Sequence, residues 1–467
     1  MESRPPPAAP VPPGEFNLPP ERDIPPPVPR PRARRNVIGI ACDSWRVDHL
    51  GCYGNSWVKT PNIDRLAAES AVFDRCYPEC LPTLPVRTSW FTGRYIFPFR
   101  GWGRLEPSDV LLAEVLWNQG YHSALISDTY HMHRPTMAYE RGFDHVEFIR
   151  GQEMDPYVVD DVPVDLERYH KPGPNDADTV KMLRQYLKNR HWWKTDADCG
   201  AARVARAAVD WLKTRHARDS QRKNFFLWVD MFDPHEPWDP MPPFDRMYAD
   251  PAYKGKDIIF PIAGPADYLA PAELDHVRRL YAGKCTQTDK WVGHLLDAIR
   301  TEPGLLDETL LVWTTDHGEC FGEHGFVKKA RPFPYVEEVH VPFLVRHPDG
   351  LGAGKRFDAF TQAPDLMPTI LDFLNVTPPP CLHGASLLPI LSGEKASLRD
   401  FCVVARHGRA WRIHDREWCF IHYFIDRPDE LYRVREDRFE RNNVIAAHPD
   451  VAARYESTLR KFAEGLR

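Results

Sequence analysis

The chain has 467 residues, of which 43% are hydrophobic and 27% charged, an ordinary balance for a globular protein with room for more than one domain. Its net charge of -6 excludes a broad basic surface, so we expect no nucleic-acid partner. Its apolar runs fall well short of the roughly 20 residues of a transmembrane helix, so we expect no membrane span.

The first 35 residues are rich in proline, with Pro5-Pro6-Pro7 and Pro25-Pro26-Pro27 among the runs. Such a segment buries too little apolar surface to fold, so the sequence predicts a disordered tail over 1–35. The same stretch lacks the apolar core of a signal peptide, and the ten cysteines of the chain show no regular spacing. We therefore expect reduced thiols and a cytoplasmic location.

Short apolar runs then alternate with helical patterns. The runs are 37–42, 124–126, 225–229, 309–314 and 343–345, and the clearest helical patterns are 201–214 and 274–299. This alternation predicts an α/β fold with a large, mostly parallel sheet covered by helices on both faces. In such sheets, ligands bind beyond the carboxyl ends of the strands.

Aspartate and histidine residues, which can bind metal ions, follow several of these runs. Asp43 follows the first run, and Asp316 and His317 follow the fourth. A single aspartate after a strand is commonly a cap or turn residue, but repeated Asp and His endings favour a ligand site. Two carboxylates and an imidazole suit a divalent cation.

The pattern of apolar and polar residues changes beyond residue 375. A break at 377–380 is followed by apolar runs at 410–413 and 418–423, which predict antiparallel strands joined by a turn at 414–416. A terminal helix follows, with Val451, Leu459, Phe462 and Leu466 as its apolar positions. We expect a main domain over 36–375 and a small α+β subdomain over 376–467.

The stretch from Cys80 to Gly93 holds a thiol, a hydroxyl, a proline-rich turn and Arg87 just before a predicted helix. Pro85 suits a first helical turn because it has no N–H to leave unpaired there. A nucleophile at that position feels the positive end of the helix dipole, which favours its ionised form. Arg87 lies about one turn further on and can face the same point.

Taken together, these motifs resemble the sulfatase family within the alkaline phosphatase superfamily, from about residue 36 to the C-terminus. The motif layout is nearest to the phosphonate monoester hydrolase and arylsulfatase branch. The segments that carry the resemblance are 48–54, 60–66, 92–94, 233–238, 315–319, 322–325, 364–371 and 430–432. The resemblance implies an alkaline phosphatase-like fold, hydrolysis of sulfate or phosphate esters, and a small-molecule or saccharide ester as substrate. It does not decide whether the protein is a monomer or a homo-oligomer.

The nucleophile motif of the family runs Cys or Ser, any residue, Pro, then Ser, Thr or Ala, then Arg, some residues before Thr-Gly. Two registers compete for it here: Thr83-Leu84-Pro85-Val86-Arg87, and Cys80-Leu81-Pro82-Thr83-Leu84, which lacks the final arginine. Counting back from Thr92-Gly93 favours Thr83. Threonine cannot be oxidised to the formylglycine of the family, so no formylglycine is expected, and water must attack the sulfur or phosphorus of a threonine ester directly.

The resemblance also implies roles for other residues. One divalent cation is expected, Ca²⁺ by family with Mn²⁺ or Zn²⁺ as alternatives, although Ser44 stands where many members have a second aspartate. Arg87 would hold the ionised nucleophile, His235 would be the general acid, and Lys329, with Lys328 as the fallback, would bind substrate oxygens. The expected metal ligands are Asp43, Thr83, Asp316 and His317.

A second departure lies at Ser127-Asp128-Thr129-Tyr130, where typical sulfatases have Gly-Lys-Trp-His. Asp128, Tyr130 and His131 are the expected substrate-binding residues at this point, with His133 close behind. Replacing a lysine by a carboxylate weakens the case for a sulfate monoester. It leaves three alternatives open: a diester, a cationic substrate, or a second metal bound with His131.

Three functions therefore remain open from the sequence. The first is a metal-dependent hydrolase of sulfate or phosphate esters, the second a phosphodiesterase or phosphonate monoester hydrolase, and the third a catalytically weak protein that binds metal and ester. His324 and His340 are expected to be packing or surface residues. Cys42 and Cys52 are expected to be buried apolar groups.

Overall fold

The computed structural model describes residues 35–216, 224–329 and 332–466. The predicted tail over 1–35 lies outside the described residues, apart from Arg35. None of the described helices is both long and apolar enough to span a bilayer.

The strands are β1 (Asn36–Cys42), β2 (Ala71–Tyr77), β3 (His122–Ser127), β4 (His145–Phe148), β5 (Phe225–Met231), β6 (Gly264–Pro265), β7 (Thr309–Thr314), β8 (Cys320–Phe321), β9 (Phe326–Lys328), β10 (Val341–Arg346), β11 (Arg356–Gln362), β12 (Cys402–Arg406), β13 (Ala410–His414), β14 (Cys419–Tyr423) and β15 (Glu430–Tyr432). The α-helices are α1 (Pro61–Ala68), α2 (Thr83–Thr92), α3 (Leu112–Asn118), α4 (Leu166–Tyr169), α5 (Ala177–Asn189), α6 (Gly200–Asp210), α7 (Pro271–Thr301), α8 (Val336–Val339), α9 (Leu366–Phe373), α10 (Leu388–Leu391) and α11 (Pro449–Gly465).

One sheet of eight strands has the order β11-β2-β10-β7-β1-β5-β3-β4. Its neighbouring strands are parallel except for β10, which is antiparallel to both β2 and β7. The mostly parallel α/β sheet predicted from the apolar runs is confirmed. The predicted helices 201–214 and 274–299 correspond to α6, which continues as a π-helical turn (Trp211–His216), and to α7.

The central strand β1 shows why these runs are apolar throughout. Every residue of β1 is buried, because alternate side chains enter different cores on the two faces of the sheet. Ile38 and Ile40 pack with α6 and α7, whereas Val37 and Ala41 pack with α2, α3 and α9. Gly39 is required between them, because a Cβ there would lie 2.2 Å from the Trp228 ring.

The C-terminal part holds a separate antiparallel sheet of order β12-β13-β14-β15, covered by α11. This confirms the predicted small antiparallel sheet and terminal helix, while the domain boundary near 375 stays a prediction. Leu459 is buried as expected, and Val451, Phe462 and Leu466 are partly buried against the same core. The buried face of α11 also contains Ala452, Tyr455 and Ala463.

The C-terminal sheet also contacts the segment that precedes α2. Cys80 forms a parallel bridge with Ala405 of β12. The Leu81 amide donates to the Ala405 carbonyl at 2.8 Å, and the Ala405 amide donates to the Glu79 carbonyl at 2.9 Å. The backbone that leads into α2 is therefore fixed by β12 as well as by the main sheet.

Candidate active site

Carboxylates collect at one edge of the main sheet. Asp128 follows β3, Asp230 lies near the end of β5, Asp43 follows β1 and Asp316 follows β7. These four strands are adjacent and parallel, so their carboxyl ends meet, and all four side chains are completely buried. This is the edge at which ligands bind in α/β sheets.

Asp43, Asp316 and His317 form a compact cluster whose candidate ligand atoms all lie within 4.8 Å of one another. The Ser44 hydroxyl donates to Asp43 Oδ1 at 2.8 Å, and the Ser44 amide donates to Asp316 Oδ1 at 2.9 Å. His317 Nδ1 lies 2.9 Å from the Gly318 carbonyl, so Nδ1 carries the proton and Nε2 keeps a lone pair. Ser44 thus orients the two carboxylates that surround it.

The cluster has the properties of a divalent-cation site. Asp43 Oδ2 is buried and accepts no hydrogen bond among the described residues, although it forms an ion pair with Arg87. Burial, followed by the Asp316 charge, raises the pKa of Asp43, and the charges of Arg87 and Lys329 offset only part of this rise. Burial lowers the pKa of His317, which keeps the imidazole neutral and able to act as a ligand. Two carboxylate groups and one neutral imidazole therefore fit a divalent cation.

Arg87 lies behind this cluster with its side chain fully buried among three carboxylates. It forms a two-pronged pair with Asp230, with Nε–Oδ2 at 3.0 Å and Nη2–Oδ1 at 2.7 Å. Nη1 donates to Asp316 Oδ2 at 2.7 Å, and Nη2 lies 3.1 Å from Asp43 Oδ2. Burial opposes the charge, but the three carboxylates outweigh it and raise the pKa of Arg87. Its contact with Thr83 is to the carbonyl oxygen, at 3.3 Å, rather than to the hydroxyl.

The structure brings Thr83, rather than Cys80, to the cluster. Thr83 is the first residue of α2, and its Oγ1 lies 3.4 Å from His317 Nε2. The hydroxyl is therefore at the positive end of a helix and beside a lone pair. Cys80 lies in an apolar cluster with Ile96 and Val403, and burial raises the pKa of its thiol.

A second group of charges is centred on Lys329. Its ammonium lies 2.7 Å from His235 Nε2, 2.9 Å from Glu236 Oε2 and 2.6 Å from Glu319 Oε1. Lys328 lies 2.9 Å from the other oxygen of Glu236 and 3.5 Å from the centre of the Phe260 ring. Both predicted lysines therefore contact Glu236, and Lys329 also contacts the predicted acid His235.

The protons of this group can be assigned from its contacts. His235 Nδ1 donates to the Glu236 carbonyl at 2.6 Å, so Nε2 accepts from the Lys329 ammonium. Burial lowers the pKa of His235 to about 3. Burial opposes the Lys329 charge, but Glu236 and Glu319 outweigh it and raise the pKa of Lys329. At neutral pH the Lys329–His235 pair therefore holds its acidic proton on Lys329.

Glu153 connects His131 to this group. Its Oε2 lies 2.9 Å from His131 Nε2, and its Oε1 lies 3.7 Å from His235 Nδ1. Potential ligand atoms of Glu153, His235 and Glu236 also lie within 4.8 Å of one another. Because Glu236 already binds both lysines, its charge is matched, which argues against a second cation at this point.

Asp128 and the neighbouring histidine have protein partners. Asp128 Oδ1 accepts from the Phe232 amide at 2.7 Å, and Oδ2 accepts from Gln152 Nε2 at 2.8 Å. Burial, followed by Asp233, raises the pKa of Asp128 to about 7. His133 stacks on Phe148 with ring centres 4.3 Å apart. The lining of the site here is thus fixed by internal hydrogen bonds.

Tyr130, His324 and His340, which were also named from the sequence, pack against other aromatic rings. Tyr130 begins a 3-10 turn (Tyr130–His133) and is partly buried, with its ring centre 5.9 Å from that of His131. His324 stacks on Tyr335, with ring centres 3.7 Å apart, and His340 stacks on Tyr77, with ring centres 5.4 Å apart.

Cys42 and Cys52 both lie against the apolar core, where they were expected. Cys42 is fully buried and Cys52 is partly buried against the same core. Burial raises the pKa of both thiols.

Four carboxylates of the site were not assigned roles by the sequence analysis: Asp230, Glu153, Glu236 and Glu319. Asp230 directly follows the apolar run 225–229, so the rule that identified Asp43 at a strand end could also have identified Asp230. Glu236 and Glu319 lie inside the family-like segments 233–238 and 315–319, next to His235 and close to His317. Glu153 lies in a long insert without periodicity, where the sequence carries no signal for its position.

Comparison with known proteins places these observations in a family. The sequence profile named Sulfatase matches residues 35–376. The profile named N-sulphoglucosamine sulphohydrolase, C-terminal, matches residues 322–464.

Two relatives extend over most of the chain. An arylsulfatase of Clostridium perfringens is 26% identical over 433 residues, covering 85% of each chain. An N-acetylglucosamine-6-O-sulfatase of Bacteroides thetaiotaomicron is 25% identical over 486 residues, covering 88% of this chain and 83% of the relative.

The fold is similar to that of the phosphonate monoester hydrolase of Agrobacterium radiobacter. The TM-score is 0.74 at 22% identity, with 93% of this chain and 96% of that chain covered. The architecture is therefore the alkaline phosphatase-like one expected from the sequence.

Proposed function

This chain belongs to the sulfatase family, in the alkaline phosphatase superfamily of ester hydrolases, and on that premise we propose that it hydrolyses sulfate esters with Thr83 as nucleophile. The substrate is a small-molecule or saccharide ester, an assignment supported by the saccharide sulfatase among the relatives. One observation carries the proposal: Thr83 Oγ1 lies at the start of α2, 3.4 Å from His317 in the Asp43–Asp316–His317 cluster.

The first step forms a bond between Thr83 Oγ and sulfur, after the hydroxyl proton has left to solvent, and breaks the bond from sulfur to the alcohol oxygen. The departing alcohol takes up one proton. Threonine has no second hydroxyl through which its ester could collapse, so water attacks sulfur in the second step. Thr83 then leaves and recovers a proton, and sulfate is released.

Asp43, Asp316 and His317, together with Thr83, would hold the divalent cation. When bound, such an ion lowers the pKa of a neighbouring hydroxyl and neutralises charge on the ester. Ser44 keeps both carboxylates oriented through its hydroxyl and amide. Arg87 holds Asp43 and Asp316 together from behind through its guanidinium.

Lys329 and His235 act together as the proton source for the leaving alcohol. The proton resides on Lys329, and His235 Nε2 accepts a hydrogen bond from the same ammonium. Lys329 loses a proton to the alcohol and regains one from solvent, while its ion pairs with Glu236 and Glu319 favour the charged ammonium. Lys328 supplies fixed positive charge toward the terminal oxygens of the ester.

A phosphonate monoester or phosphodiester is the second candidate substrate, and Asp128 favours it. A sulfate monoester presents three terminal oxygens, whereas these phosphorus esters present two. Asp128 stands where the family has a lysine, and both its oxygens are bound to protein groups. The site thus has one cation fewer to bind a third oxygen.

An aryl ester panel measured with a metal series tests the proposal. Aryl sulfate, phosphate monoester, phosphate diester and phosphonate monoester are each assayed after chelation and after addition of Ca²⁺, Mn²⁺ or Zn²⁺. Metal-dependent sulfate turnover supports the first function, and turnover of the diester or phosphonate alone selects the second. Metal and ester binding without turnover of any ester would overturn both and leave a binding protein.

A further inference from the structure

Trp102 is a large aromatic residue left exposed beside the site. Its side chain is 45% exposed, although burying an indole contributes more than burying most other side chains. Its edge meets the His131 ring, with centroids 5.0 Å apart and planes at 77°. One part of the indole is thus held against His131 while the remainder faces solvent.

Contacts link Trp102 to the proton-donating group. His131 pairs with Glu153 at 2.9 Å, and Glu153 lies 3.7 Å from His235. Phe232 joins the same side, with ring centres 6.1 Å from His131 and 4.1 Å from His235. Trp102 therefore stands at the outer end of a continuous row of side chains that ends at the group where the alcohol leaves.

The backbone around Trp102 is anchored, so its exposure does not result from a loose loop. The Tyr139 hydroxyl donates to the Gly103 carbonyl at 3.3 Å. The Leu105 amide donates to the Met137 carbonyl at 3.0 Å. Gly101 lies against His407, where a Cβ would come within 2.7 Å of that side chain. The backbone on both sides of Trp102 is therefore held in place, and the His131 contact fixes one edge of the ring pair.

We propose that Trp102 is the platform of the leaving-group subsite, where its exposed indole face stacks on a ring-bearing alcohol. The partner is a ring with a flat apolar face, either a phenol or a sugar, rather than a small acyclic alcohol. This inference rests on the proposed function, because it assigns the alcohol half of the ester hydrolysed at Thr83. The indole supplies apolar area and an electron-rich face at this position.

Trp102→Ala is compared with Phe99→Ala, a matched control because Phe99 lies in the same segment and is also 45% exposed. Each variant is assayed with an aryl ester and a methyl ester of the same acid. We expect Trp102→Ala to raise KM for the aryl ester about 3- to 10-fold, with kcat nearly unchanged. The methyl ester and the Phe99→Ala variant should show less than a twofold change. Equal effects on the two esters, or no effect on either, would overturn the subsite.

The failure of the proposed function can be distinguished from the failure of this inference. If the wild type turns over no ester, the proposed function fails, and ligand-observed NMR with phenyl sulfate and methyl sulfate tests the platform directly. The platform is supported if the wild type binds phenyl sulfate more tightly than methyl sulfate and Trp102→Ala loses that preference. It is overturned if both proteins bind the two compounds equally. Trp102→Phe should retain part of the preference in either assay.

Discussion

The hydroxyl oxygen of Thr83 lies 3.4 Å from Nε2 of His317, although the two residues are 234 positions apart in the chain. His317 is held in this orientation by the hydrogen bond from its Nδ1 to the Gly318 carbonyl. The fold therefore brings one hydroxyl from the start of α2 to the carboxylate cluster at the ends of β1 and β7.

Replacing Thr83 by alanine removes this hydroxyl while leaving a helix-compatible side chain. We expect kcat to fall on the order of 10³-fold or more, because the nucleophile itself is lost. Thr83→Ser should retain measurable turnover. Steady-state kinetics on the preferred ester gives the comparison, with circular dichroism to verify folding. Cys80→Ala is the control, and abolition of turnover by that change, with activity intact in Thr83→Ala, would place the nucleophile at Cys80.

Removing a divalent cation should destabilise the protein, because Asp43 and Asp316 are then buried together without it. A ligand at a thousandfold excess over its Kd contributes about 4 kcal/mol of stability. We expect chelation to lower Tm and added Mn²⁺ or Ca²⁺ to restore it, in differential scanning calorimetry. Asp43→Asn should abolish this response, whereas Asp349→Asn, at a carboxylate that is 61% exposed, should leave it intact. A response that persists in Asp43→Asn would locate the ion elsewhere.

Lys284 of α7 fixes the loop that carries His235. Its buried ammonium lies 3.0 Å from Asp233 and 2.9 Å from Asp239, on either side of that histidine. Lys284→Met leaves two buried carboxylates without this partner, so we expect a loss of about 3–5 kcal/mol in the free energy of unfolding. Urea denaturation measures the loss.

Lys290→Met is the matched control for that substitution. Lys290 lies on the same helix, but its side chain is 49% exposed and pairs with Asp196 at the surface. Its removal should cost less than about 1 kcal/mol. Equal losses in the two variants would show that burial of the Lys284 pairs adds nothing to their contribution.

Glu79 makes stability depend on pH. Burial raises its pKa to about 8, even though it accepts hydrogen bonds from Ser89 and from the Phe97 amide. Because the folded-state pKa lies above the unfolded one, the contribution is fully present below the unfolded pKa. It is lost as pH rises through about 8. The slope from this one proton is at most about 1.4 kcal/mol per pH unit.

Glu79→Gln keeps the size of this side chain and one of its two acceptor atoms but removes its titration. We expect the difference in unfolding free energy between wild type and Glu79→Gln to shift in favour of the variant from pH 5 to pH 8. Urea melts at unit pH intervals measure this difference. A pH-independent difference would mean that Glu79 titrates normally in the folded protein.

Much of the site was predictable because it lies at the ends of buried strands. Asp43, Asp316 and His317 follow continuous apolar runs, and parallel strands bring their carboxyl ends together. The same reasoning would have found Asp230, the partner of Arg87, directly after the run 225–229. The antiparallel direction of β10 was not predictable from its apolar pattern, because such a run looks the same in both directions.

The sequence showed that charged residues belong to the site, but it did not show which of them form ion pairs. Lys329 was expected to face substrate oxygens, but its contacts with Glu236 and Glu319 depend on how loops fold across the sheet edge. Glu153 comes from an insert without periodicity, and only the fold brings it beside His131. Likewise, Asp128 was expected to bind substrate, whereas in the structure the Phe232 amide and Gln152 bind both its oxygens.

The pairing of Cys80 with Ala405 of β12 has a consequence for synthesis of the chain. The residues just before Thr83 leave the ribosome long before β12, the strand that fixes them. A nascent polypeptide with the main sheet already folded would therefore still lack one support for the start of α2. Enzymatic competence should accordingly arise only after β12 has been translated, so that nascent chains ending before β12 remain inert.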